Sequence, residues 1–198
     1  MSDPRDVQPN EAELIAAAQA GQLSAFGSLI GFYQDRLYNL GYRLCGSHDD
    51  AAELTQETFL RALKGIGQFQ RRSRFYTWMV RIMINLSRDM HDRARRETRH
   101  VAAQAHDLLK HSQAAQMARA QNPGARLENR ETAEIIQQGI EALDPHLRET
   151  LVLREVEQMS YRDIAETLKI SEGTVKSRVF RAREALRSVL APYVEEGR

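Results

Sequence analysis

Apolar residues recur at three- and four-residue intervals through most of this chain and nowhere sustain the alternation of a strand, so the sequence predicts an all-α protein. No Asn-Gly or Asp-Gly pair joins two apolar runs, which removes the commonest hairpin signal. Helical periodicity covers Glu11–Ala20 and Ser24–Cys45 and breaks at Gly46-Ser47. Ser47 then caps a helix to about Leu63, with Asp50 at the capping-box position. A loop rich in Gly, Gln and Arg, Gly65–Ser73, leads into a helix from about Phe75 to Arg96. Residues 97–130 are rich in Ala, Gln and His, poor in large apolar groups, and broken at Asn122-Pro123-Gly124. They read as a flexible linker, with a stretch around Val101–Ala120 helical by propensity alone. Beyond it lie Thr132–Leu143, a turn at Asp144-Pro145, a helix to about Val156, and two helices at 160–168 and 171–190. A length of 198 residues accommodates two helical domains, 11–96 and 131–192, each with a modest core.

The formal net charge of +1 conceals a strong separation along the chain. Asp49, Asp50, Glu53 and Glu57 form an acidic block, whereas Arg71, Arg72, Arg74, Arg81, Arg88, Arg93, Arg95 and Arg96 face only Asp89 and Asp92 over the same stretch. A second basic block, Lys176, Arg178, Arg181, Arg183 and Arg187, lies near the C-terminus. Two basic patches on a nearly neutral chain point to two contacts with a polyanion, and the acidic block points to a different, basic partner.

The segment from Ser160 to Glu184 has helix-turn-helix grammar. Ser160 caps a short helix, Ile164, Ala165 and Leu168 face inward, Ile170 plugs the turn, and Ser171 caps the second helix. At about 100° per residue Val175, Val179, Ala182 and Leu186 make a narrow apolar stripe. Ser177, Phe180, Arg181 and Glu184 fall on the far side, with Lys176 flanking. An aromatic among cations is costly on a merely solvated face and sensible in a major groove, where arginine reads guanine edges, an apolar ring touches a thymine methyl, and serine or lysine holds phosphates.

On the 75–96 helix, Phe75, Met79, Ile82, Leu86 and Met90 form the expected buried stripe, while Trp78, Arg81, Asn85, Arg88 and Arg95 lie together beside it. Cations, an amide and an aromatic beside an arginine-rich loop suit melted nucleic acid, since arginines track the backbone, rings stack and the amide reads a base edge. Trp78 taken alone fits a core position equally well. On the preceding helix Leu60 falls among Glu53, Gln56, Glu57 and Lys64, an apolar residue on an acidic face that marks a protein partner.

Three segments together resemble the extracytoplasmic-function sigma factors, small promoter-specificity subunits of bacterial RNA polymerase in the sigma-70 family. They are Asp50-Ala-Ala-Glu-Leu-Thr-Gln-Glu-Thr-Phe-Leu-Arg-Ala, Phe75-Tyr-Thr-Trp-Met-Val-Arg-Ile with Asn85, and the run from Leu153 through Met159-Ser-Tyr-Arg-Asp-Ile-Ala to Gly173-Thr-Val-Lys-Ser-Arg-Val-Phe-Arg-Ala-Arg-Glu. The resemblance implies that the first domain is region 2 and the second region 4. It implies that Glu53, Gln56, Glu57 and Leu60 dock on the clamp helices of the polymerase β′ subunit, with a further contact to β. Phe69 and Asn85 match positions that help hold an extruded base of the −10 element, beside Arg81 and Arg88. Lys176, Ser177, Phe180 and Arg181 match positions that enter the −35 element. Arg71-Arg72 departs from the Gly-Asp type of loop common in the family, which bears on the preferred −10 base. With no sensory domain after Arg198, an anti-sigma factor is the expected regulator, in a stress or environmental response.

A stand-alone helix-turn-helix regulator is the competing reading, and it leaves residues 11–96 without a role. A metal sensor or enzyme built on His91, His100, His106 and His111 finds no ligand spacing and no accompanying thiolate or carboxylate cluster, so neither metal, cofactor nor active site is expected. Cys45 reads as a small buried thiol. The polar start Met1–Glu13 and the lack of a long apolar run predict a cytoplasmic protein with no membrane insertion and no small-molecule substrate.

Overall fold

A computed structural model describes residues 11–108 and 127–195. Its regular elements are all helical: α1 (Glu11–Gln19), α2 (Leu23–Cys45), α3 (His48–Gly65), a short 3₁₀ turn (Ile66–Gln68), α4 (Phe75–Leu108), α5 (Leu127–Glu141), α6 (Pro145–Leu151), α7 (Tyr161–Leu168) and α8 (Glu172–Glu195). The sequence-level caps form as expected. Ser47 Oγ accepts from the Asp50 N–H at 3.2 Å, Ser160 Oγ from Asp163 N–H at 3.1 Å, and Ser171 Oγ from Thr174 N–H at 3.1 Å, each satisfying one of the donors a helix start leaves open. Asp144 caps α6 in the same way through the His146 N–H at 2.9 Å, with Pro145 at the first helical position.

The helix expected to end near Arg96 continues to Leu108. No glycine or proline interrupts that stretch, and its Ala, Gln, Glu and Arg content carries good helix propensity. The remainder of the stretch anticipated to Ala120 lies outside the described residues. The helix after the Asp144-Pro145 turn also differs. Its last turn, Val152–Val156, widens to π-helical geometry, with Glu157 N–H donating to Val152 O at 3.1 Å and Met159 N–H to Leu153 O at 3.0 Å. Gln158 follows at φ 54° and turns the chain into α7.

The expected pair of separate cores is replaced by one continuous cluster across both domains. Leu29, Leu37, Leu40 and Leu54 belong to it together with Val152, Leu153, Ile164, Leu168 and Val175, and only Leu143, Leu151 and Ala182 stand in a satellite. Helix α4 explains the merger. Phe75, Met79 and Leu86 are buried as the amphipathic pattern predicts, but Val80, Ile84 and Ser87 on another side are buried too. The helix is enclosed by α2 and α3 of its own domain and by α7 of the second. Full burial of each such aliphatic side chain stabilises the fold by about 1.5–3 kcal/mol, so the seam contributes to folding as well as to shape. Gly46 closes α2 at φ 73°, donating its N–H to Tyr42 O at 2.8 Å, and a Cβ there would overlap the Glu141 side chain of α5.

Candidate nucleic-acid interface

The second helix of the helix-turn-helix, α8, buries Val175, Val179 and Ala182 and half-buries Leu186, which fixes its rotation about its axis. The opposite face therefore carries Lys176, Ser177, Phe180 and Arg181 outward, as the periodicity requires. Phe180 is 66% exposed. Ser177 Oγ donates to Thr174 O at 2.9 Å, which leaves its lone pairs outward. Arg181 makes only a long contact to Ser177 O at 3.4 Å, and no carboxylate holds it among the described residues. Next to this face Arg183 is anchored, its Nη2 2.6 Å from Glu155 Oε1 on the widened turn, so the helix is tied back to α6 by a cation that leaves the outward face clear. An aromatic ring with cations on either side offers apolar contact, phosphate contact and base-edge donors together.

On the other domain, the arginine-rich loop is held from beneath. Gln19 Nε2 donates to Ile66 O at 3.0 Å and Phe69 O at 2.9 Å, and Arg71, at φ 54°, donates from Nη2 to Ala12 O at 3.1 Å. Phe69 is not presented to solvent. Its ring packs edge-on to Phe75 at 5.4 Å and against Trp78 at 5.1 Å, in a cluster that leaves it 6% exposed. Trp78 is half-buried in that cluster, between the two positions the sequence left open for it. Arg81, Asn85 and Arg88 do share one side of α4, and Asn85 is exposed. The side chain of Arg95, expected with them, lies outside the described residues.

The two arginines flanking Asn85 are engaged by the second domain. Arg81 Nη2 lies 2.8 Å from Glu166 Oε2 of α7, with Nε 3.4 Å from Thr167 Oγ1. Arg88 grips Glu149 of α6 through Nε at 3.0 and 3.1 Å and Nη2 at 2.6 Å, a forked geometry matched to a carboxylate. Hydrogen bonding to Glu149, outweighing desolvation, pushes the Arg88 guanidinium further up. A third anchor involves Glu157, which follows the π-helical turn. Its Oε2 accepts from Arg36 Nη2 at 2.9 Å and from Tyr76 hydroxyl at 2.8 Å, while the Arg36 guanidinium carbon sits 3.8 Å over the Tyr76 ring. Burial, ahead of the Glu157 charge, pushes the Tyr76 hydroxyl far above the ordinary tyrosine range, so it stays a donor. Arg148 adds a fourth tie, donating to Leu44 O at 2.8 Å at the end of α2 and to Glu141 O at the end of α5. Arg36, Tyr76, Glu149 and Glu157 were not singled out in the sequence. Their carboxylate contacts join positions more than sixty apart along the chain, so no local pattern identifies them.

The acidic face of α3 carries an exposed apolar residue. Leu60 is 44% exposed and, with Glu53, Gln56 and Glu57, rims a cleft of about 420 Å³ floored by Leu86 and Met90 of α4. Arg61 bridges Glu57 at 3.0 Å and Asp89 at 3.9 Å along its edge. Cys45 is half-buried, and burial pushes its thiol up to about 11. Among the described residues no His, Cys, Asp and Glu side chains gather in a metal-holding group, and the side chains of His100 and His106 and the whole of His111 lie outside the description. No helix among those residues is long and apolar enough to cross a membrane.

Residues 29–97 match the family Sigma-70 region 2, and residues 133–186 match Sigma-70, region 4. The RNA polymerase sigma-H factor of Pseudomonas aeruginosa is 34% identical over 96% of this chain and 98% of its own length. Among solved structures, CnrH in complex with the cytosolic domain of CnrY has the same fold, with a TM-score of 0.65, 24% identity, and coverage of 92% of this chain and 97% of that one. The sigma factor RpoE of Bartonella quintana, solved with the anti-sigma factor NepR, aligns with a TM-score of 0.61 and 25% identity over 84% of this chain and 96% of its own. End-to-end likeness to such relatives, through both domains and in the same order, leaves the stand-alone regulator without an account of α1 to α4; the chain belongs to the extracytoplasmic-function sigma factors of the sigma-70 family.

Proposed function

We propose that this sigma factor divides promoter recognition between its two domains, with residues 11–96 holding core polymerase and the −10 element, 97–130 linking, and 131–192 holding the −35 element. The observation that carries the −35 assignment is Phe180, two-thirds exposed on a helix whose opposite face is buried, between Lys176 and Arg181. Those side chains and Ser177 supply the apolar, phosphate and base-edge contacts of major-groove readout. On the −10 side, Asn85 reads a flipped base, Arg81 and Arg88 hold the flanking phosphates, and Phe69 supports the base-holding loop from within its aromatic cluster. Glu53, Gln56, Glu57 and Leu60 fit the β′ clamp helices, an acidic cleft with an apolar centre being suited to a basic helical surface. The protein works in the cytoplasm, carries no active site, and answers to an anti-sigma factor, as RpoE of B. quintana was captured with NepR.

Run-off transcription on genomic fragments, with core polymerase alone as control, tests this reading. Transcripts should start at defined sites only when the protein is added. Failure of the purified protein to associate with core polymerase refutes it.

A further inference from the structure

In the closed arrangement the acidic groups of region 4 occupy the cationic groups of region 2 that a DNA strand would need. Glu149, 3% exposed, holds Arg88 with three contacts of 2.6–3.1 Å, and Glu166 holds Arg81 at 2.8 Å. A carboxylate and a phosphate present the same paired oxygens to a guanidinium fork, so these carboxylates stand where phosphates would bind. Arg81 and Arg88 lie one on each side of Asn85, which leaves the base-reading amide exposed but its backbone-holding partners spent. We propose that the domain seam is an autoinhibitory latch, in which Glu149 and Glu166 act as strand mimics and compete with the −10 single strand for Arg88 and Arg81. The inference rests on the assignment of α4 to the −10 element.

The latch couples two events. Opening the seam frees both arginines together, and the Glu157 anchor to Arg36 and Tyr76 sets how often that happens without help. Any ligand that binds only the open form, whether core polymerase on α3 or DNA on α4, shifts the population toward it. Apparent affinity for a strand is the intrinsic affinity multiplied by the open fraction.

The test uses the full chain and the double variant Glu149→Gln/Glu166→Gln, which removes both charges while keeping side-chain volume. Binding of a fluorescein-labelled single-stranded 15-mer of random sequence is followed by anisotropy across a salt series. The variant should bind about tenfold tighter or more, the gain expected when the competent form is at most about a tenth of the population. Its plot of log affinity against log salt should steepen by about 1.4, the value for two added phosphate contacts on a single strand. Circular dichroism keeps a folding defect visible, and small-angle scattering should show a larger radius of gyration. A control pair, Asp35→Asn/Glu134→Gln, removes two exposed carboxylates elsewhere and should leave the salt slope unchanged. Equal affinity and slope in wild type and variant overturn the latch, and so does an equal gain in the control. Opening of the variant with no gain in strand binding overturns it as well. Loss of core-polymerase association, measured separately, would instead strike the sigma-factor reading of the −10 helix.

Discussion

Glu157→Ala removes one of the two most enclosed ionic contacts between the domains among the described residues. The Glu157 side chain is 4% exposed and its Oε2 accepts from Arg36 Nε at 3.1 Å, Arg36 Nη2 at 2.9 Å and Tyr76 hydroxyl at 2.8 Å. Truncation leaves the Tyr76 hydroxyl buried without the Glu157 acceptor and takes the Glu157 charge away from the Arg36 guanidinium, which is 26% exposed. Breaking a buried pair costs about 3–5 kcal/mol, and stranding a neutral buried hydroxyl about 1–3 kcal/mol. Arg36 retains partial access to water and its stacking over Tyr76, so the combined loss is placed at the low end, about 3 kcal/mol. Glu157→Gln keeps an acceptor for Tyr76 and should lose about half of that. Urea unfolding of the two variants and the parent measures the difference directly. Because donor and acceptor sit on different domains, amide exchange should rise first along α7 and the facing side of α4. A loss below about 0.5 kcal/mol for Glu157→Ala would show that water replaces the carboxylate without cost and would refute the assignment of the contact as buried.

Three further outcomes are expected. Arg181→Ala should weaken promoter binding by about 1–3 kcal/mol and relax selectivity at one −35 position, and an equal loss on every sequence would exclude base readout. Asn85→Ala should impair strand opening more than closed-complex binding, and an unchanged permanganate footprint removes Asn85 from that role. Cys45, with its thiol held up to about 11 by burial, should alkylate slowly near pH 8. The folded state binds that proton more tightly than the unfolded chain. Its contribution is therefore intact below the ordinary thiol value of ~8.5 and is lost as pH rises from there towards the folded value. Rapid labelling of folded protein by iodoacetamide at pH 8 contradicts this.

What the sequence disclosed was local. The serine caps at 47, 160 and 171, the outward Phe180 and the half-exposed Leu60 follow from spacing along single helices, and each is found in place. The seam was invisible for the opposite reason. Val80 and Ile84 look like ordinary members of an amphipathic helix, and nothing nearby in sequence announces a second covering surface. Phe69 was legible as a loop aromatic, but its burial depends on Phe75 and Trp78 closing over it from the next helix. Glu149 and Glu157 resemble any solvated glutamate until the fold brings an arginine to each. Tertiary partners decide such groups, and periodicity carries no record of partners.

The widened turn at Val152–Val156 acts as a phase offset. An α-helix advances about 100° per residue, so one extra residue accommodated in a single turn rotates everything downstream by roughly that angle relative to α6. That offset aims Glu157 back at Arg36 rather than out to water, and it sets the angular position from which α7 and then α8 depart. Loss or gain of one residue in this stretch would therefore act like mis-timing a gear. Each helix beyond it would stay intact while the buried carboxylate and the outward phenyl ring both pointed to the wrong place.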